Sequence, residues 1–142
     1  MSEVQCVRKE TLDVLIVDDQ PGVRYLLDIL IREFGHRVHT AENGLVAIEK
    51  VRQIHPDVIF MDVRMPLMDG LEALRRIRRI APDTIVIIMT AYISEQTKEQ
   101  ALKNGALCCM AKPFDIEKVK ALIQDLTWNQ KQNYFWSESY VI

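Results

Sequence analysis

The residues of this chain best suited to chemistry stand where short apolar runs stop. Asp18 and Asp19 follow the run at 12–17, Asp62 follows Val58-Ile59-Phe60-Met61, Thr90 follows the run at 84–89, and Lys112 follows 107–111. Singly, each has an ordinary structural use: the two aspartates favour a helix start, Thr90 caps, and Lys112 is a solvated charge. Brought together they do something else. Three carboxylates in one place repel one another and partly protonate unless a cation neutralises them, and an all-oxygen donor set suits Mg²⁺, or Mn²⁺. Asp62, at the end of a buried run, is then a positioned carboxylate nucleophile. The cation, Lys112 and the Thr90 hydroxyl offset the charge of a transferring phosphoryl group. The chemistry expected is phosphoryl transfer to an aspartate.

That convergence depends on the elements behind the five residues. Residues 12–17 read as a strand, and Pro21 opens a helix whose apolar positions Val23, Leu26, Leu27, Leu30, Ile31 and Phe34 recur at helical spacing before Gly35 stops it. Residues 37–41 alternate as a second strand. Asn43 and Gly44 open a helix to about Gln53, and Pro56 closes the connection to the third strand, which ends at Asp62. A loop at 63–70 leads to a helix that buries Leu71, Leu74 and Ile77 and stops before Pro82. Residues 84–89 form a fourth strand, apolar throughout as in a sheet covered on both faces. Ser94 caps a polar helix to Asn104, 107–111 form a fifth strand, and Asp115 starts a last helix with Ile116, Val119, Leu122, Ile123 and Leu126 on one face. Strict alternation of this kind predicts an α/β doubly wound fold: a five-stranded parallel sheet with five helices and right-handed crossovers. In open sheets of this class the ligand site lies beyond the carboxyl ends of the strands, which is where all five residues stand.

The 142 residues suit one domain, and 49% hydrophobic with 27% charged residues is a globular composition. A formal charge of −2 gives no basic excess, so direct nucleic-acid binding is not expected. Neither a membrane-spanning run nor a signal-peptide core is present in the sequence, and the expectation is a cytoplasmic protein without membrane association. Cys6, Cys108 and Cys109 form no metal-binding spacing and read as reduced thiols.

Four separated motifs in order resemble the receiver domain of two-component response regulators, over about residues 12–127. They are Asp18-Asp19 after an apolar strand; Val-Ile-Phe-Met-Asp62 with Met65, Pro66 and Asp69-Gly70; Met89-Thr90-Ala91; and Lys112-Pro113-Phe114. The resemblance implies the flavodoxin-like fold of the chemotaxis receivers, with strand order 2-1-3-4-5. It implies that Asp62 is the phosphoacceptor and that Asp19, Asp62 and the Arg64 backbone carbonyl bind Mg²⁺, with Asp18 reaching it through water. Thr90 would be the switch hydroxyl, Lys112 the ion-pair partner of the phosphoryl group, and the Lys112-Pro113 bond cis. The partners implied are a sensor histidine kinase and a histidine phosphotransfer protein, which would dock on the first helix around Arg24, Tyr25, Asp28 and Arg32. Among stand-alone receivers it resembles the relay intermediate of sporulation in endospore-forming bacteria, through Thr90-Ala91-Tyr92 and Ala111-Lys112-Pro113-Phe114-Asp115. The other reading left open is a phosphorylation-switched binding module with no onward transfer.

One position departs from that pattern. The second switch residue, three before the lysine, is commonly aromatic or histidine, and here it is Cys109; the plain reading is a buried apolar residue, and the sharper one is a redox site. Arg64 and Tyr92, two residues beyond Asp62 and Thr90, are expected to shield an acyl phosphate from water. A separate aspartyl-phosphate hydrolase would carry an acid–base Asp where Arg64 stands. Residues 1–11 read as an N-terminal extension. Residues 128–142 read as a tail with five aromatics, too short for an effector domain, that packs on the domain or makes a homodimer. The expectation is that this protein controls another molecule.

Overall fold

The computed structural model describes residues 11–128. Five strands and five helices alternate: β1 Asp13–Val17, α1 Pro21–Glu33, β2 Arg37–Ala41, α2 Gly44–Ile54, β3 Val58–Asp62, α3 Gly70–Ile80, β4 Ile85–Thr90, α4 Glu95–Lys103, β5 Cys108–Ala111 and α5 Ile116–Trp128. The sheet is parallel throughout in the order β2-β1-β3-β4-β5, the order expected. Beyond Trp128 the aromatic tail, and with it the proposed homodimer contact, lies outside the described residues, as do Cys6 and the first ten positions.

Because strand side chains alternate between faces, each strand feeds two cores. Val14, Ile16, Phe60, Ile87, Met89, Cys108 and Met110 pack beneath Leu27 and Ile31 of α1 and Val119, Leu122, Ile123 and Leu126 of α5. The residues between them, Leu15, Val17, Ile59, Met61, Val86, Ile88 and Cys109, pack beneath α2, α3 and Ala101 of α4. A sheet covered on both faces explains why β3 and β4 are apolar without interruption.

Several details differ from the sequence reading. Strand β4 starts at Ile85 and not at 84, because the Thr84 N–H donates to the Ala81 carbonyl at 3.2 Å in the preceding turn, while its hydroxyl donates to the Pro56 carbonyl at 3.0 Å; β5 starts at Cys108 and not at 107. Leu26 is 45% exposed and Ile116 46%, although both were expected to face the core. Leu26 stands about 100° round the helix from the buried Leu27, and Ile116 opens α5 one turn before Val119 meets the sheet. Leu71 is only partly buried; Ala73 lies deeper, and Leu74 and Ile77 fill the contact as expected.

Candidate functional site

Four strand ends build one edge. Asp18, just past β1, is fully buried, Asp19 is exposed, and Asp62 and Thr90 are the buried last residues of β3 and β4. Carboxylate oxygens of Asp18, Asp19 and Asp62 all lie within 4.8 Å of one another. From β5, the Lys112 ammonium reaches Asp18 Oδ2 at 2.6 Å and Asp62 Oδ1 at 3.4 Å. The Lys112-Pro113 bond is cis, as the resemblance implies. Four of the five residues picked out by sequence therefore meet, and Thr90 stands at the end of the neighbouring strand, its carbonyl accepting from the Lys112 N–H at 2.9 Å.

The electrostatics follow from that crowding. Burial, and next the Asp18 charge, push the Asp62 carboxyl above its ordinary value of 3.8; Lys112 pulls it back in part, and Asp19 adds to the rise. A carboxylate held against burial and like charge favours whatever neutralises it. Its donors are all oxygen, so a hard divalent cation fits the cluster, and the softer ligands Cys and His are absent from it.

The loop after β3 brings the start of α3 back against the end of the strand, and Gly70 makes this possible. Its N–H donates to the Val63 carbonyl at 2.7 Å, and a Cβ on Gly70 would stand 2.1 Å from the Asp62 carbonyl oxygen. Asp69 caps α3 by accepting from the Glu72 N–H at 2.9 Å. Asp69-Gly70 entered the sequence reading only as part of a motif; the close approach is its physical reason.

Across the site, the Thr90 hydroxyl donates to the Tyr92 carbonyl at 3.1 Å and accepts from the Tyr92 N–H at 3.2 Å. Tyr92 itself is 74% exposed, and the Arg64 guanidinium lies over its ring, 5.9 Å from the centroid. The two residues expected to flank the site thus meet each other as a cation–π pair, joining the loop after Asp62 to the loop after Thr90. Cys109 is fully buried among apolar side chains, and desolvation pushes its thiol up to about 11, that of Cys108 to about 12. Such thiols stay protonated and out of reach of oxidant, which fits the apolar reading of Cys109.

Sequence reasoning missed two groups. Gln20 accepts from Lys112 Nζ at 3.4 Å, and the Arg24 guanidinium donates to the Asp18 carbonyl at 2.6 Å. The available signal was Gln20 itself, a poor N-cap at the start of α1.

An open parallel sheet with an acid cluster and a lysine beyond its carboxyl edge defines a class of aspartate-centred phosphoryl-transfer folds. Within it, the response regulator receiver domain model matches residues 14–124. The chain is 40% identical over 111 residues to sporulation initiation phosphotransferase F of Bacillus subtilis, covering 78% of this chain and 90% of that protein. It is 42% identical over 111 residues to the regulatory protein AtoC of Escherichia coli, covering 78% of this chain but 24% of that protein. The structure superposes on the chemotaxis protein CheY4 of Vibrio cholerae with a TM-score of 0.78 and 30% identity, covering 82% of this chain and 98% of that one. The chain belongs to the response regulator receiver domain family.

No helix among the described residues is long and apolar enough to cross a membrane.

Proposed function

We propose that this chain is a stand-alone cytoplasmic receiver of a two-component phosphorelay, accepting a phosphoryl group onto Asp62 and passing it to a histidine phosphotransfer protein. It acts as a phosphoacceptor that assists its own labelling and slow dephosphorylation, and not as a turnover enzyme. The observation that carries this reading is the meeting of Asp18, Asp19, Asp62 and Lys112 at one sheet edge. Likeness to a sporulation phosphotransferase over nine tenths of that protein supports the relay.

In the step itself, an Asp62 carboxylate oxygen attacks phosphorus on a partner's phosphohistidine. The O–P bond forms as the P–N bond breaks, and the imidazole nitrogen leaves with the electron pair and takes a proton from solvent. Lys112, already 3.4 Å from Asp62, pairs with the arriving phosphoryl oxygens. The Thr90 hydroxyl turns from the Tyr92 backbone toward them. Asp19 and Asp62, with the Arg64 carbonyl, would hold Mg²⁺ or Mn²⁺, and Asp18 would reach it through water. Bound there, the ion neutralises charge on the carboxylates and the phosphoryl group. Cys109 carries no ring to swing, so the movement of Thr90 passes outward through the Tyr92 and Arg64 contact.

Helix α1 is suited to docking a histidine kinase or phosphotransfer helix bundle. It begins beside the acid cluster and leaves Tyr25, Leu26 and Ile29 exposed, while Arg32 is paired to Asp28. Incubating the protein with a phosphorylated phosphotransfer domain and Mg²⁺ tests the reading. Label moving both ways supports the relay, and absence of label on Asp62 refutes it. A second reading, a switched binding module, is favoured by one observation: α4 buries only Ala101, so little apolar area holds that surface in place. Label that arrives and never returns is its signature.

A further inference from the structure

Helices start best with Ser, Thr, Asp or Asn at the N-cap, whose side chain accepts an N–H from the first turn. Helices α2, α3 and α4 follow this rule with Asn43, Asp69 and Ser94. Helix α1 breaks it: its N-cap is Gln20, whose side chain makes no capping bond. That side chain is turned to Lys112 Nζ, 3.4 Å away.

The turn between β1 and α1 is held by other means. Arg24, one turn into α1, folds back so that Nη1 donates to the Asp18 carbonyl at 2.6 Å, and its own N–H donates to the Gln20 carbonyl at 3.2 Å. The Gln20 N–H donates to Asp18 Oδ1 at 2.9 Å, leaving Oδ2 for Lys112 at 2.6 Å. Both carboxylate oxygens of buried Asp18 are thus committed, and Arg24 adds positive charge beside it without taking either.

An ammonium has three N–H donors. Lys112 meets three acceptors: Asp18 Oδ2, Asp62 Oδ1 and Gln20 Oε1. Two are anionic and one is neutral. A third carboxylate at position 20 would bind the ammonium more tightly and hold it back from a phosphoryl group, and it would repel the phosphodonor.

We propose that Arg24 and Gln20 are positioning residues of this site: Arg24 fixes the turn that presents Asp18 and Asp19, and Gln20 steers the Lys112 ammonium with an uncharged acceptor. The proposal rests on the reading of Asp62 as phosphoacceptor.

The test uses the full chain with Arg24→Met, Arg24→Lys, Gln20→Met and Gln20→Glu. Amide hydrogen exchange of residues 18–20 is measured in EDTA. Labelling of Asp62 by acetyl phosphate, in which the O–P bond forms as acetate leaves with the P–O electron pair, is measured as initial rate against Mg²⁺ concentration. Arg24→Met is expected to speed exchange of the Gln20 amide and to raise the half-saturating Mg²⁺ concentration, each on the order of tenfold, the scale of one lost charge-assisted hydrogen bond. Arg24→Lys restores most of both. Gln20→Met is expected to slow labelling at saturating Mg²⁺ while leaving its half-saturation in place, a split that general destabilisation would not produce, and Gln20→Glu to slow it while lowering the half-saturating concentration, because it adds negative charge beside the cluster. Wild-type exchange and Mg²⁺ dependence in Arg24→Met, or wild-type rates in Gln20→Met, overturn the proposal. Should the wild-type chain take no phosphoryl group, the phosphoacceptor reading falls separately, and exchange in Arg24→Met by itself decides the positioning role: faster exchange upholds it, unchanged exchange overturns it.

Discussion

Replacing Asp62 by Asn should make the metal-free protein more stable. Asp62 and Asp18 present oxygens within 4.8 Å of each other, which at an effective dielectric of about 20 is a repulsion of about 3.5 kcal/mol. Lys112 at 3.4 Å returns an attraction of about 5 kcal/mol on the same scale, but it is shared with Asp18, which it approaches more closely. Exposed Asp19 adds a smaller, solvent-screened repulsion, and the cost of burying the charge tips the balance, in line with the raised pKa. Ionised Asp62 is therefore a net cost to the metal-free folded state. Asp62→Asn keeps the shape and removes the charge, so thermal unfolding in EDTA at neutral pH should move up, by about 3–6 °C for each kcal/mol relieved in a domain of this size. The sign with pH follows from the direction of the shift. With a folded pKa above 3.8, the penalty is complete above the folded value and fades as pH falls through it, so the two melting curves converge in acid. Adding Mg²⁺ should raise the melting temperature of the wild type more than that of the variant, because only the wild type keeps all three carboxylates. An Asn variant less stable than wild type in EDTA, or equal stabilisation of both by Mg²⁺, would refute the reasoning.

Other outcomes follow from single contacts. Arg64→Asn and Tyr92→Ala should each shorten the lifetime of phosphorylated Asp62, and the double variant should show less than the product of the two effects, since the cation–π pair is worth about 0.5–1 kcal/mol at an exposed site; slower decay of label in the double variant than in wild type would contradict the shielding role. Gly70→Ala, with a Cβ 2.1 Å from the Asp62 carbonyl oxygen, should cost about 2–4 kcal/mol in denaturant unfolding and impair labelling. His36 accepts the Leu12 N–H on Nδ1 at 3.0 Å, and burial lowers its pKa from 6.5, so its contribution to stability is complete above pH 6.5 and is lost as pH falls toward the folded value. Urea titrations of His36→Asn should show a flatter dependence over that range. Cys109→Ser should label and decay like wild type under both oxidant and reductant, because the native thiol is buried and protonated; an oxidant effect confined to wild type would restore the redox reading.

Much of this protein was legible in its residues. Apolar strands that stop at Asp18, Asp62, Thr90 and Lys112 fix both the alternation of elements and the edge where chemistry collects, because a parallel sheet sends every strand's carboxyl end to the same side. Buried Asp18, Asp62 and Thr90 could be placed from the pattern alone, since strand periodicity is a local property. Contacts between loops are not. That Arg64 lies over Tyr92, that the Thr90 hydroxyl is held by the Tyr92 backbone, and that Gly70 passes against Asp62 depend on how two connections meet after the sheet has formed. The same holds for α1, where helical spacing put Leu26 inward but the packing of Leu27 and Ile31 turned it to solvent. Gln20 and Arg24 mark the boundary most sharply. In the sequence Gln20 is an ordinary turn residue and Arg24 part of an expected docking face; only folding brings Lys112, 92 positions further on, to within 3.4 Å of Gln20, and turns Arg24 onto the carbonyl of Asp18.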